Sequence, residues 1–137
     1  MPLEDFRKMM VRQLSMTVHH KENMSGEVLE AYLEPLAGEV GKASFFSHQA
    51  CHYDSRYTEQ ITGDLERLSM PVKLLWDEQD EWQPLFYARR LSEDIPGTEL
   101  TVVPEAGHFV MEDAPKQVTA ELVGVLYDEA PHHADYE

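Results

Sequence analysis

One cysteine, Cys51, is all that 137 residues contain, so no intrachain disulfide can form and nothing asks for an oxidising compartment. Basic residues are scarce as well: 11 Lys and Arg stand against 26 Asp and Glu, a formal charge of −15. A nucleic-acid binder needs a basic face to neutralise phosphates, and an anionic membrane surface would repel this charge balance. Long apolar runs are missing, so no stretch approaches the length needed to cross a bilayer. The opening residues, Met1-Pro2-Leu3-Glu4-Asp5-Phe6-Arg7, lack the basic start and apolar core of a secretory signal. The expectation is a cytoplasmic protein that binds neither nucleic acid nor membrane. Its acidity, with only five lysines, also fits a salt-adapted source.

Two segments towards the C-terminal end carry chemistry. Trp76-Asp77-Glu78-Gln79-Asp80-Glu81-Trp82-Gln83-Pro84 follows the apolar run Val72-Lys73-Leu74-Leu75. Gly107-His108-Phe109-Val110-Met111-Glu112-Asp113-Ala114-Pro115 follows Leu100-Thr101-Val102-Val103. Each reads as a strand running into a loop with a titratable residue, and each loop leads into a helix. Asp80 and His108 then lie at the C-terminal ends of neighbouring parallel strands, where open α/β sheets keep their functional loops. A carboxylate that orients a histidine is the acid–base half of a nucleophilic triad. The acidic loop leaves a competing assignment for the acid, Asp77, and a plain solvated loop is the bland alternative. For His108 the bland alternative is a surface or packing histidine.

These two segments resemble the α/β-hydrolase superfamily in its capped branch of haloalkane dehalogenases, epoxide hydrolases and ester or carbon–carbon bond hydrolases. The resemblance runs over about residues 25–127 and is most specific over Met70–Val125. It implies that Asp80 is the triad acid, in a Trp-Gly-x-x-Asp-x-x-x-Pro pattern, and His108 the triad histidine, in Gly-His-Phe-x-x-x-Asp-x-Pro. Asp77 departs from that pattern by replacing a glycine, which would allow a positive φ and which aspartate tolerates better than most residues. The nucleophile on a Gly-x-Ser-x-Gly type elbow has no counterpart: the nearest segments, Ser25-Gly26 and Gly41-Lys42-Ala43-Ser44, lie in helical patterns. The resemblance therefore implies the C-terminal half of a hydrolase acting on a small apolar substrate (ester, halide, epoxide or C–C bond), with the nucleophile supplied from elsewhere. No cofactor and no metal are implied. The alternative is an inactive, truncated or split-gene product that persists as an oligomeric interaction module.

The implied fold is α/β: a helical cap over residues 1–68, the last two strand–helix units of the sheet over 69–127, and a polar tail over 128–137. Residues 3–18 form a helical pattern with Phe6, Met9, Met10, Leu14 and Val18 on one face. Ser25 is positioned to cap a second helix, whose stripe is Leu29, Leu33 and Leu36. A third helix is expected over Lys42–His52 and a fourth over Tyr57–Leu68, with Ile61, Leu65 and Leu68 inward. Strands are expected at Val72–Trp76 and Glu99–Val103, with a helix over Pro84–Asp94 between them. Asp113 reads as the cap of a last helix that opens with Pro115 and buries Val118, Leu122, Val125 and Leu126.

Two parallel strands need further neighbours and covered faces. An open apolar edge predicts a homo-oligomer. His48, Cys51 and His52 lack a fourth ligand at metal-binding spacing, so a surface or cap-lining role is expected, and His19-His20 and His132-His133 carry no metal assignment. The aromatics Tyr32, Phe45, Phe46, Tyr53 and Tyr57 read as cap packing, with pocket lining as the alternative. Trp82 is placed to shape a pocket beside the acid.

Overall fold

A computed structural model describes residues 1–51 and 54–127. His52, Tyr53 and the expected tail over 128–137, with His132-His133, lie outside the described residues. The architecture is α/β, with helices preceding and flanking a two-stranded parallel sheet.

Helix α1 (Leu3–Met16) buries Phe6, Met10 and Leu14, which recur one turn apart on a single face. Val18, just beyond it, completes the expected stripe at 1% exposure. These side chains meet Met24 and Leu33, the latter from helix α2 (Gly26–Leu33), in the main hydrophobic cluster. Leu29, Tyr32, Leu36, Phe45 and Phe46 pack around them. Phe6 touches both Phe45 and Phe46, with ring centroids 5.6 and 5.7 Å away, so the expected packing role holds for these aromatics. Each fully buried side chain of this size contributes about 1.5–3 kcal/mol.

Several local expectations change. Ser25 stands at the start of α2 without capping it, because its hydroxyl donates to the carbonyl of Glu22 instead. The third helix begins earlier than expected, as α3 (Gly38–Ser44), and widens into a π-helical turn over Phe45–Ala50. Gly38, at φ 74°, permits the sharp entry, and Gly41 is required by packing: a Cβ there would stand 2.4 Å from the backbone carbon of Leu36. The fourth helix is shorter, α4 (Arg56–Thr62), followed by a 3₁₀ turn at Leu65–Arg67. Ile61, expected inward, is 56% exposed, and Tyr57 is also exposed. Leu65 and Leu68, expected inward with Ile61, are half-buried.

Strand β1 (Lys73–Asp77) begins and ends one residue later than expected, whereas β2 (Glu99–Val103) matches. They pair in parallel with Lys73 opposite Glu99 and Asp77 opposite Val103. The half-buried Lys73 is held by Glu99 at 3.4 Å and by Glu121. Helix α5 (Leu85–Asp94) makes the crossover and buries Ala88; Ile95, Val103 and Ala106 complete this second, smaller core. A short helix α6 (Val110–Asp113) leads to α7 (Pro115–Tyr127).

The stripe expected to be buried on α7 is largely open. Leu122 and Leu126 are 57% and 68% exposed, while Val118 and Val125 are half-buried. A two-stranded sheet is too narrow to cover that face, and among the described residues the outer edge of each strand has no partner. A groove of about 380 Å³ between β1 and α7 is lined by apolar residues including Leu75, Val118, Leu122 and Val125. No helix of the described residues is long and apolar enough to cross a membrane.

Candidate functional site

The loop after β1 keeps to the sheet direction for two more residues. The amide of Glu78 donates to Val103 O at 3.0 Å, and that of Gln79 donates to Ala106 O at 3.0 Å. This tie carries Asp80 to the loop that follows β2. There Asp80 is buried, at 8% exposure, and its carboxylate divides its two oxygens. Oδ1 accepts the amides of Trp82 and Gln83 at 2.7 and 2.8 Å, closing a tight turn. Oδ2 lies 2.9 Å from Nδ1 of His108. Burial pushes the Asp80 pKa up, but the His108 hydrogen bond and the amides of Gln83 and Trp82 outweigh it, so the carboxyl is held below its usual range. An ionised carboxylate only accepts, so Nδ1 carries the hydrogen and Nε2 is left as the acceptor.

The two expected site residues are therefore brought together, and the competing acid is close by. Asp77 is 4% exposed and ends β1. Its pKa is pushed up to about 7, first by burial, then by the charge of Asp80 and a hydrogen bond to it. Asp80, not Asp77, accepts the His108 hydrogen bond. The idea that residue 77 uses a positive φ is corrected: among the described residues other than glycine only Glu105 has one, at 52°. Asp77 instead continues the ladder opposite Val103.

Asp77, Asp80 and His108 also place their ligand atoms within 4.8 Å of one another. A cation there would have to displace the Asp80–His108 hydrogen bond and take the proton held on Asp77 near neutrality, so the arrangement is better matched to a proton than to a metal. The weak metal candidate Cys51 is exposed and lies in the turn that ends the π-helical segment.

What sequence reasoning missed is how the His108 loop is held. Asp113, read as a helix cap, turns its carboxylate away from α7. It accepts the amides of His19 at 2.7 Å, His20 at 3.2 Å and Gly107 at 2.9 Å, and the side-chain amide of Asn23 at 2.9 Å. Burial raises the Asp113 pKa, but these four donors together lower it below the usual range. Phe109 N donates to Thr17 O at 2.8 Å across the same joint. Gly107 has no room for a side chain: a Cβ would fall 2.8 Å from both His19 N and Thr17 O. The only sequence trace is the pair of histidines after α1, whose backbone, not imidazoles, is used. Between this segment and the acid loop lies a groove of about 460 Å³, lined by His19, Lys21, Glu78, Asp80 and Glu81 among others. Its walls are mostly polar, with Met16 and Val18 among them, and none of the aromatics given pocket lining as an alternative borders it.

Comparison with known proteins places this geometry in context. The family described as "Alpha/beta hydrolase family" matches residues 5–122. The chain is 25% identical over 121 residues to the uncharacterized hydrolase YugF of Bacillus subtilis, spanning 85% of this chain and 41% of that protein. It is 34% identical over 70 residues to the putative carbamate hydrolase RutD of a Caulobacter species, which covers 51% of this chain and 26% of that protein. Among solved structures, an alpha/beta hydrolase fold protein from Burkholderia ambifaria superposes with a TM-score of 0.83 at 29% identity, over 90% of this chain and 44% of its own. The 137 residues thus span less than half the length of the relatives they match.

Proposed function

Because the chain belongs to the alpha/beta hydrolase family, we propose that it contributes the acid and the base of a hydrolytic triad, Asp80 and His108, to a nucleophile lying outside residues 1–137. In this reading the chain is the C-terminal part of a hydrolase of the capped branch, with residues 1–68 as cap and 69–127 as the end of the sheet. The observation that carries it is the 2.9 Å contact between Asp80 Oδ2 and His108 Nδ1, made by the loops that leave two adjacent parallel strands. His108 Nε2 accepts the proton of an attacking serine hydroxyl, or of water attacking an ester on an aspartate nucleophile. Asp80 stabilises the imidazolium, and Nε2 then returns the proton to the leaving group. Asp80 and His108 serve both chemistries equally, so the nucleophile decides whether an ester, halide, epoxide or C–C bond of a small substrate is cleaved.

The test compares ester hydrolysis by residues 1–137 alone and by the chain joined to the polypeptide encoded in frame upstream. The isolated chain should show no His108-dependent turnover. The completed protein should lose on the order of 10⁴–10⁶ in kcat with His108→Gln. Full activity in His108→Gln would remove the base assignment. His108-dependent turnover by the isolated chain would place the nucleophile inside it, at Ser44 or Ser47.

A second reading, self-association through an uncovered face, is favoured by one observation: Leu122 and Leu126 of α7, across a groove from β1, are each more than half exposed. In a completed hydrolase the same face would be covered by the rest of the sheet. A homo-oligomer is the state proposed for the chain by itself.

A further inference from the structure

His108 does not rest on Asp80 alone. Its imidazole has two aromatic neighbours. The indole of Trp82 stacks on it with centroids 5.5 Å apart and planes 17° from parallel. The ring of Phe109 lies 5.8 Å away at 27°. Phe109 in turn meets the ring of Tyr32 at 5.3 Å in a tilted contact, and the Tyr32 hydroxyl donates to Glu112 at 2.8 Å. The row of rings thus begins in the acid loop, passes through the histidine and ends on α2.

Trp82 is tied to the pair by more than contact between rings. Its backbone amide donates to Asp80 Oδ1, while Oδ2 of the same carboxylate holds His108. Carboxylate, imidazole and indole therefore form a closed triangle in which each member limits the other two. A hydrogen bond at Nδ1 fixes one point of the imidazole but leaves rotation about that axis. A near-parallel ring in an offset stack restricts it. Trp82 is itself 45% exposed, so core packing does not account for its position.

We propose that Trp82 is a positioning residue for His108: stacked on the imidazole and anchored to Asp80, it sets the ring plane and aims Nε2 away from the carboxylate. The titratable groups beside the imidazole are Asp80 and Asp77. The indole covers one face of the ring and excludes water from it.

The proposal rests on the reading of His108 as the base, yet its test requires no turnover. In the 137-residue chain, the His108 ring protons, assigned by their loss in His108→Gln, should resonate upfield because they lie over the indole. That displacement should vanish in Trp82→Leu and persist in part in Trp82→Phe. Trp82 emission, obtained as the difference between the parent and Trp82→Phe, should fall as His108 is protonated, and this fall should be lost in His108→Gln. Circular dichroism confirms that each variant is folded. Should Trp82→Leu fail to fold, the emission titration of the parent against His108→Gln decides alone. Emission insensitive to protonation of His108, or unchanged His108 ring shifts in a folded Trp82→Leu, would overturn the proposal. Stacking signals as expected, with full activity of His108→Gln in the completed hydrolase, would instead remove the base assignment and leave the stacked geometry standing.

Discussion

Replacing Asp77 with asparagine should flatten the pH dependence of stability in a defined window. Asp77 is 4% exposed, beside Asp80, and its folded pKa is about 7 against an ordinary value of 3.8. Between those values the folded chain holds a proton that the unfolded chain has released. Stability therefore falls as pH rises, at about 1.4 kcal/mol per pH unit for one proton. The contribution is fully present below the unfolded pKa and is lost as pH rises through the folded one. A window of roughly three units gives an upper limit of about 4 kcal/mol, and local relaxation around a newly ionised buried carboxyl reduces the expected loss to about 2 kcal/mol. Asp80 and Asp113 act in a separate range. Their folded pKa values are lowered, so their contribution is lost only as pH falls below the usual carboxylate range. Urea unfolding followed by circular dichroism from about pH 4 to pH 8 measures the slopes. Relative to Asp77→Asn, the parent should lose about 2 kcal/mol across that range. Parallel profiles for the two proteins would show that Asp77 is ionised in the folded state and refute the shared-proton reasoning.

Asp113→Ala should lower stability by about 3 kcal/mol or more, because three backbone amides and the Asn23 side chain lose one common acceptor; urea unfolding at neutral pH measures it. Asp113→Asn, which keeps an oxygen, should cost less. Leu122→Glu combined with Leu126→Glu should shift the isolated chain from oligomer to monomer in sedimentation without loss of helix content. A compact monomer of the parent in both low and high salt would remove the open-face argument, since screening over about 10 Å leaves only apolar contact to drive association.

The α/β class and the meeting of Asp80 with His108 were legible because their signals are local. A β-prone run, a loop with one acid or histidine, and a helix start are each contained in about ten residues. The parallel pairing then follows from the helix between them. Partners far apart in sequence were not legible. Asp113 has the sequence surroundings of a helix cap, with Ala114 and Pro115 after it, yet His19 and His20 lie 94 and 93 residues away. A local pattern could not rank a cap against three distant amides, and the amides prevailed because they offered a carboxylate more donors than one helix end. The same limit explains Ile61 and Leu122. Helical spacing shows which residues share a face, but not whether any other element covers it.

Residue 77 separates two kinds of cost that the sequence alone merged. An aspartate where the family pattern has glycine reads as a conformational penalty, paid in backbone strain and independent of pH. The chain avoids that penalty by running β1 through Asp77 and pairing it with Val103, in an ordinary strand conformation. What remains is the desolvation of a second carboxyl beside Asp80, which depends on pH by its nature. Asp77→Gly distinguishes the two. Were strain the cost, glycine would stabilise the chain at every pH by about 1 kcal/mol. With an electrostatic cost, glycine should bring no gain near pH 4, where Asp77 is neutral and bonded to Asp80, and would lose the contacts of that side chain. Its advantage should emerge only as pH approaches 7 and the parent begins to place two adjacent negative charges at the end of one strand.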